Sequence, residues 1–333
     1  MKKLPIVLLL ALFTIYHTSN AQYTDVINSN RPGASMSAYA VGENVIQGEF
    51  GLFTERQKHT GLRTESGFFG IDFAFRYGLL FEQLELIWDG SYAFENITFN
   101  AFNPALEENR SDFLRNTVGL KYLIFDPFKN QEASKPNLYS WKANNSFKWK
   151  DLIPAVSIYA GANIIFSDNP FLPNDPSISP IVGVMTQSHF AGRWVLVSNI
   201  YYNKFTTDDP SLSYIITLTH TLKNPKWSIF AENQGINSDI YSDLLFRGGA
   251  ARLLNKSFQV DASFGFSVKD TPSRLFGNIG ISYRLDYHKD EIKRIDTGIK
   301  KVKTGKRKKA KKNKKKRKNT EENTLEDSSE DNN

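Results

Sequence analysis

Hydrophobic and polar residues alternate along most of the chain between residues 42 and 287. In the segment near residues 258–268, Val260 and Phe264 share one parity while Gln259 and Asp261 share the other. A period of two residues is typical of a β-strand with two unlike faces. Clusters of Gly, Asn, Asp and Pro separate twelve such segments, near residues 42–53, 65–77, 83–95, 113–125, 155–166, 181–190, 194–203, 213–222, 227–236, 243–253, 258–268 and 276–287.

Two all-β folds fit this alternation: a soluble sandwich with one wetted face and a membrane-spanning barrel. The barrel is favoured because the apolar parity is rich in Phe, Tyr and Trp, while the polar parity carries charges in mid-strand. Connections of three to five residues also alternate with connections of six to seventeen. An even number of strands with this alternation is typical of bacterial outer-membrane barrels, whose termini face the periplasm. We therefore predict an all-β, antiparallel, up-and-down transmembrane β-barrel of about twelve strands over residues 42–287.

Residues 126–154 are an exception, because they form a long connection where a short one is expected. Apolar residues recur there with roughly helical spacing beside several lysines, at Leu138, Trp141, Trp149 and Leu152. A short amphipathic helix lying in the membrane interface fits this pattern. A periplasmic loop with its aromatic residues under the barrel rim fits it equally well.

The first 21 residues resemble a secretory signal peptide. Lys2 and Lys3 precede an apolar run from Leu4 to Ile15, and Ser19 and Ala21 are small residues before a predicted cleavage point. The alternative, a membrane anchor, is disfavoured because about 20 apolar residues are needed to cross a bilayer. The predicted mature chain starts at Gln22. The absence of Cys from the sequence excludes a disulfide scaffold and Cys-ligated metal sites.

Net charge divides the chain into two unlike parts. The total is +7, but residues 288–333 contain 17 Lys or Arg and nine Asp or Glu, so residues 22–287 are slightly acidic. The tail contains a basic run followed by acidic residues, a composition that predicts disorder. The basic run consists of Lys306, Arg307, Lys308, Lys309, Lys311, Lys312, Lys314, Lys315, Lys316, Arg317 and Lys318.

Export decides which partners this tail can meet. Nucleic acid is excluded for a periplasmic segment, which leaves lipid headgroups, peptidoglycan and acidic periplasmic proteins as anionic partners. One hypothesis is therefore a tether to the cell wall or to an envelope protein. The alternative is a solubilising tail that folds against its own acidic end.

Charged residues on the polar parity form the candidate site, because that parity faces the interior of a barrel. These residues are Glu49, Asp72, Arg76, Glu85, Asp89, Arg115, Lys121, Glu232, Arg247, Asp261 and Arg284. Mixed signs fit a salt-bridged interior, and they fit a polar lining along the path of a small solute. Twelve strands do not decide between a filled and an open barrel.

The segment before the first strand, residues 22–41, offers a second candidate site. Arg31, Pro32 and Gly33 stand there, and proline stiffens the chain. The segment could enter the barrel as a plug or serve as a solvated periplasmic lead-in.

Enzymatic chemistry is disfavoured. A Ser or Thr nucleophile needs a positioned His base, and after the signal peptide the chain contains only His59, His189, His220 and His288. Ser188 and His189 are adjacent and so lie on opposite faces of a strand. The sequence contains no His pair with metal-ligand spacing and no phosphate-binding Gly-rich loop, so we predict no catalytic residue, metal or cofactor.

Five short segments carry a family resemblance: Asn30 to Gly33, Ile46 to Glu49, Arg247 to Arg252, Gln259 to Ser263 and Ile279 to Asp286. They resemble motifs of a known family of transporter-like outer-membrane barrels, named for the MetA pathway of phenol degradation. The likeness covers roughly residues 25–287 and does not include the 126–154 insert or the tail. It implies a porin-like or hydrophobic-solute uptake role.

Together these observations predict a barrel in the bacterial outer membrane, surrounded by lipid, that passes a small, hydrophobic or aromatic solute without catalysis. The alternative is an occluded structural barrel that anchors a cell-wall or envelope partner through its polybasic tail.

Overall fold

The computed structural model of the chain describes residues 26–127, 149–166 and 168–288. The predicted signal peptide, the Leu138 and Trp141 part of the predicted interfacial helix, and the polybasic run 306–318 lie outside the described residues.

Twelve antiparallel strands form one closed barrel, in which each strand pairs with its neighbours in sequence and the last pairs with the first. This confirms the predicted fold class. The strands are β1 (Val45–His59), β2 (Thr64–Gly78), β3 (Leu84–Phe99), β4 (Leu106–Phe125), β5 (Ala155–Ile164), β6 (Ile178–Phe190), β7 (Trp194–Asn203), β8 (Ser211–Thr221), β9 (Trp227–Ser238), β10 (Ser242–Asn255), β11 (Phe258–Ser267) and β12 (Ser273–Asp286).

Alternation along each strand separates a polar interior from an apolar exterior. On β1, Gln47 and Glu49 are each 1% exposed, while Phe50 and Leu52 are 40% and 45% exposed. A polar interior within an outward apolar band is the arrangement of transmembrane barrels. Closure matters there because lipid offers no partner to an unpaired strand edge. Among the described residues, no helix has the length and apolar character needed to cross a membrane.

The two ends of the barrel differ. Connections of two to five residues join β2 to β3, β6 to β7, β8 to β9 and β10 to β11 at one end, which we call the short-turn side, and the insert between β4 and β5 lies at the same end. The other end is the long-loop side, where the connections run from three residues between β9 and β10 to thirteen between β5 and β6. The β1–β2, β9–β10 and β11–β12 connections are shorter than predicted, with four, three and five residues, because the paired strands continue further than the apolar pattern does. Several strands extend beyond their predicted limits on the long-loop side. β1 continues to His59 and β4 already begins at Leu106, in stretches that carry many charged or polar residues. Backbone pairing persists there.

The insert between β4 and β5 contains a short 3-10 helix, Trp149–Leu152, within its described residues. The Trp149 side chain is 80% exposed. The longer amphipathic helix stays a prediction, because most of its residues lie outside the described part of the chain.

The chain that precedes β1, residues 26–44, lies inside the barrel, and we call it the N-terminal segment. It begins at the short-turn side, where the Ile27 amide donates to the Lys256 carbonyl (2.8 Å), and ends there, where the Asn44 amide donates to the Gly78 carbonyl (3.2 Å). Between these points Met36 and Ala38 join a buried cluster with inward apolar residues of β3 to β6, namely Ile87, Leu123, Ala155, Tyr159 and Met185. The core of the protein is therefore built around this segment.

Candidate functional site

Inward polar side chains from strands on all sides of the barrel hold the N-terminal segment. The Lys121 ammonium donates to the carbonyls of Ser37 (2.8 Å) and Tyr39 (3.0 Å). Three strands away, on β1, the Glu49 carboxylate accepts from the backbone amides of Asn30 (3.2 Å) and Arg31 (3.3 Å). Backbone groups that would otherwise be buried without partners are thereby satisfied.

Charged side chains at the short-turn half form a buried network under this segment. Glu85 lies between two cations, since its carboxylate contacts Arg76 (3.2 Å) and Lys121 (3.1 Å), and it also accepts from the Val41 amide (3.2 Å). The side chains of Arg76, Glu85 and Lys121 are fully shielded from solvent. Buried charges are tolerated when each has a close opposite charge and further hydrogen bonds, and here the backbone of the segment supplies some of those bonds.

Arg31 docks the segment onto a notch in the wall. Gly51 of β1 and Gly280 of β12 pair directly across the two strands. The Arg31 guanidinium lies against both, so that a Cβ at Gly51 would come within 2.6 Å of Cζ and one at Gly280 would overlap the same group. The guanidinium also pairs with Asp261 (3.0 Å) and donates to the Asn278 amide oxygen. Only residues without a side chain leave room for this flat contact.

Pro32 and Gly33 lead the segment from this notch to Glu232 on β9, three strands from β12. A Cβ at Gly33 would lie 2.6 Å from the Glu232 carboxylate. This close approach lets Glu232 accept from the amides of Ala34 (3.0 Å) and Ser35 (3.2 Å). Arg247 donates to the same carboxylate (2.9 Å) and balances its charge.

A cavity of about 610 Å³ lies inside the barrel on the long-loop side of this segment. One part of its lining is charged and includes Asp72, Asp89 and Arg115. Another part is apolar and aromatic, with Tyr159 of β5 and Tyr201 of β7. Tyr159 reaches this position by lying over the paired glycines of β4 and β5, where a Cβ at Gly119 would come within 2.5 Å of its ring.

Loops fold over the mouth of the cavity. Phe171 of the β5–β6 loop packs on inward-facing Phe68 (6.3 Å between ring centroids) and under the Arg110 guanidinium (4.9 Å). Asp175 of the same loop forms an ion pair with Lys204.

In the β9–β10 loop, burial together with a hydrogen bond to Asp243 raises the pKa of Tyr241 to about 12. At the other end of the barrel, burial and the nearby Asp126 carboxylate also raise the pKa of Tyr39.

The eleven charged residues singled out from the sequence fall into two groups. Seven contact the N-terminal segment or the network beneath it: Glu49, Arg76, Glu85, Lys121, Glu232, Asp261 and Arg284. The other four line the cavity, as Glu49 also does: Asp72, Asp89, Arg115 and Arg247, the last of which is also bonded to Glu232. Arg31 contacts the wall directly, and Arg31, Pro32 and Gly33 also border the cavity.

Uncharged inward residues complete the site and were not singled out from the sequence. Gln187 accepts from Ser37, and the Asn199 side chain both accepts from the Met36 amide (2.6 Å) and donates to its carbonyl (2.8 Å). They share the polar parity of their strands, which was the available signal. Within the described residues, no group of three or more His, Asp or Glu side chains is placed to hold a metal ion.

The segments that carried the family resemblance meet at the Arg31 contact. Asn30 and Arg31, Glu49, Asp261 and Gly280 come from four of those five segments. The sequence profile of the family described as "Putative MetA-pathway of phenol degradation" matches residues 29–285. The chain therefore belongs to this family.

Several solved barrels resemble this fold at low sequence identity. An outer membrane channel from Pseudomonas putida F1 is 11% identical, with a TM-score of 0.49 over 78% of this chain and 100% of that chain. The KdgM porin is 10% identical, with a TM-score of 0.39 over 72% and 99%. The monoaromatic hydrocarbon channel TodX, in its deltaS2S3 mutant form, is 9% identical, with a TM-score of 0.40 over 75% and 92%. No curated protein matches the sequence significantly.

Proposed function

We propose that this protein is an outer-membrane channel that passes a small solute and carries out no chemical reaction. The observation that supports it best is the cavity of about 610 Å³ inside the barrel. It reaches from the N-terminal segment to residues of the long loops, and its lining combines charged with aromatic side chains. Pockets of this size and mixed character suit small organic molecules. Membership in a family named for phenol degradation favours an aromatic solute.

The orientation follows from the asymmetry of the two ends. In bacterial outer-membrane barrels the short turns face the periplasm and the longer loops face outward. With that rule, both the N-terminal segment and the end of β12 lie at the periplasmic face, and the cavity opens outward. The predicted signal peptide supports export to this compartment.

In this proposal the N-terminal segment is a plug. It crosses the interior and bonds to inward side chains from most of the strands, so solute in the cavity meets it before reaching the periplasm. Passage then requires that the plug shift or leave a narrow path at its edge. The charged residues at the segment hold the plug, and those at the cavity form the outer part of the solute path.

Reconstitution tests the channel directly. Full-length protein in planar bilayers and in swelling liposomes is compared with a variant lacking residues 22–41 and with a variant ending at Tyr287. We expect small conductance steps and slow swelling from the full-length protein and from the variant ending at Tyr287. The plug deletion should give larger steps, because it empties the short-turn half. Native folding of each variant is checked by its heat-modifiable mobility on gels.

A second candidate function is an occluded structural barrel that anchors an envelope partner through its polybasic tail. The extensive bonding of the N-terminal segment favours this alternative, since a firmly held plug blocks passage. Absence of flux from both the full-length protein and the plug deletion, together with co-purifying envelope proteins, would exclude the channel and support the anchor.

A further inference from the structure

One cation in the cavity is much more exposed than the others. The Arg115 side chain is 56% exposed, whereas those of Arg31, Arg247 and Arg274 are 10%, 16% and 20% exposed. Arg115 follows the inward parity of β4, with Thr117 and Lys121, and it lines the cavity. The exposed part of the Arg115 side chain therefore faces the cavity inside the barrel.

The contacts of Arg115 leave one edge of its guanidinium open. Its Nε atom lies 2.9 Å from the Asp89 carboxylate. Within the described part of the chain, its two Nη atoms form no hydrogen bond, and Asp89 is its one ion-pair partner. Arg31 and Arg274 differ in this respect, because their Nη atoms bond to Asp261 and to Glu55. A planar guanidinium with a free pair of N–H donors is suited to bind a carboxylate through two parallel hydrogen bonds.

An apolar wall stands beside this guanidinium. Tyr159 and Tyr201 meet edge to face, with ring centroids 6.4 Å apart. Met36 of the N-terminal segment and Ile87 of β3 belong to the same buried cluster as Tyr159. Both of them line the cavity together with the two tyrosines. Tyr159 lies over Gly119 of β4, the strand that also carries Arg115, and both tyrosines line the same cavity as the guanidinium.

From this juxtaposition we propose that Arg115 binds the carboxylate of a small organic anion, whose apolar body packs against the wall of Tyr159 and Tyr201. Asp89 holds the Arg115 guanidinium in place through the Nε atom. The Asp89 carboxylate also competes with the ligand's carboxylate for the positive charge of Arg115. The proposal rests on the proposed channel function and specifies the class of solute that the cavity receives.

Calorimetric titration of the full-length protein in detergent micelles tests this site, with benzoate as the anionic probe and benzyl alcohol as its neutral counterpart. We expect benzoate to bind more tightly than benzyl alcohol. Arg115→Gln should weaken benzoate binding about ten- to one-hundred-fold, as the loss of charge-assisted hydrogen bonds predicts, and leave benzyl alcohol binding unchanged. Arg56→Gln is the matched control, because Arg56 is an exposed cation paired with Glu65 near the long-loop end of β1.

Asp89→Asn separates ligand binding from a merely structural role of the ion pair. It removes the competing negative charge, so benzoate should bind several-fold more tightly, whereas loss of a structural pair would weaken binding of both probes. The site is overturned if the wild type binds the two probes equally, if Arg115→Gln leaves benzoate binding unchanged in folded protein, or if Asp89→Asn weakens it.

These titrations do not depend on transport. Arg115-dependent benzoate binding without flux through bilayers would remove the channel function and retain the site. Flux without such binding would overturn the site and retain the channel.

Discussion

Arg31 occupies a notch that two glycines create on neighbouring strands. Its guanidinium is 10% exposed and pairs with Asp261, whose side chain is fully buried. Losing one member of a buried ion pair costs about 3–5 kcal/mol, because the remaining charge is left without compensation. In the proposed channel this contact is a principal anchor of the plug.

Gly280→Ala should release the plug. The added methyl group overlaps the Arg31 guanidinium and displaces it, so we expect larger and more frequent conductance steps in planar bilayers. Gly277→Ala is the matched control on the same strand, since a Cβ there meets nothing closer than the Ser263 carbonyl at 3.8 Å. Equal conductance of the two variants would contradict the anchoring role of Arg31.

Strand β11 illustrates how one element meets two environments. Phe264 is 63% exposed on the apolar exterior. The adjacent Ser263 has the opposite parity and lines the cavity. A charge at these two neighbouring positions therefore faces lipid in one case and the interior in the other.

Phe264→Arg should destabilise the folded barrel by about 2–4 kcal/mol, the cost of an Arg on the lipid face near the bilayer midplane. Ser263→Arg should cost much less, because its side chain can reach water in the cavity. Denaturant titration of the heat-modifiable folded band measures both. Equal destabilisation would contradict the placement of the apolar face in lipid.

The whole chain combines a barrel with a tail of very different charge. Residues 22–287 are slightly acidic, and most of the positive charge lies in residues 288–333, of which His288 alone is described. The proposed tether therefore concerns the tail and is independent of the cavity.

Pelleting with purified peptidoglycan tests that tether. At low salt the full-length protein should pellet more than a version ending at Tyr287, and the difference should shrink as salt screens the charges. Equal pelleting of the two at low salt would exclude the tether and leave the tail as a solubilising segment.

Much of the fold could be predicted because a strand's two faces are a local property. Residues i and i+2 share a face whatever the rest of the chain does, so alternation placed Glu49 opposite Phe50 and Asp261 opposite Val260. Turn-forming residues and connection lengths then led to an up-and-down barrel, which the structure confirms. Strand ends were predicted less well, because β1 continues past its predicted end and β4 begins before its predicted start in charged and polar sequence.

The candidate site depends on contacts between distant residues, and a local pattern contains no information about those. The Arg31 notch needs Gly51 and Gly280, which become neighbours only when β12 closes on β1. Tyr159 carries an aromatic side chain of the kind expected to face lipid, yet it turns inward because paired glycines make room for its ring.

Arg76 and Arg115 show this limit most clearly. Arg76 on β2 and Arg115 on β4 are both arginines on the polar parity of their strands, and the sequence pattern treats them alike. In the folded barrel the Arg76 side chain is fully buried between Glu49 and Glu85, while that of Arg115 is 56% exposed in the cavity. The difference arises because the N-terminal segment fills the short-turn half of the interior and leaves the long-loop half open. The face of a strand on which a side chain lies is determined by local sequence. Whether that side chain packs against the N-terminal segment or lies in the open cavity depends on where the segment is held inside the closed barrel.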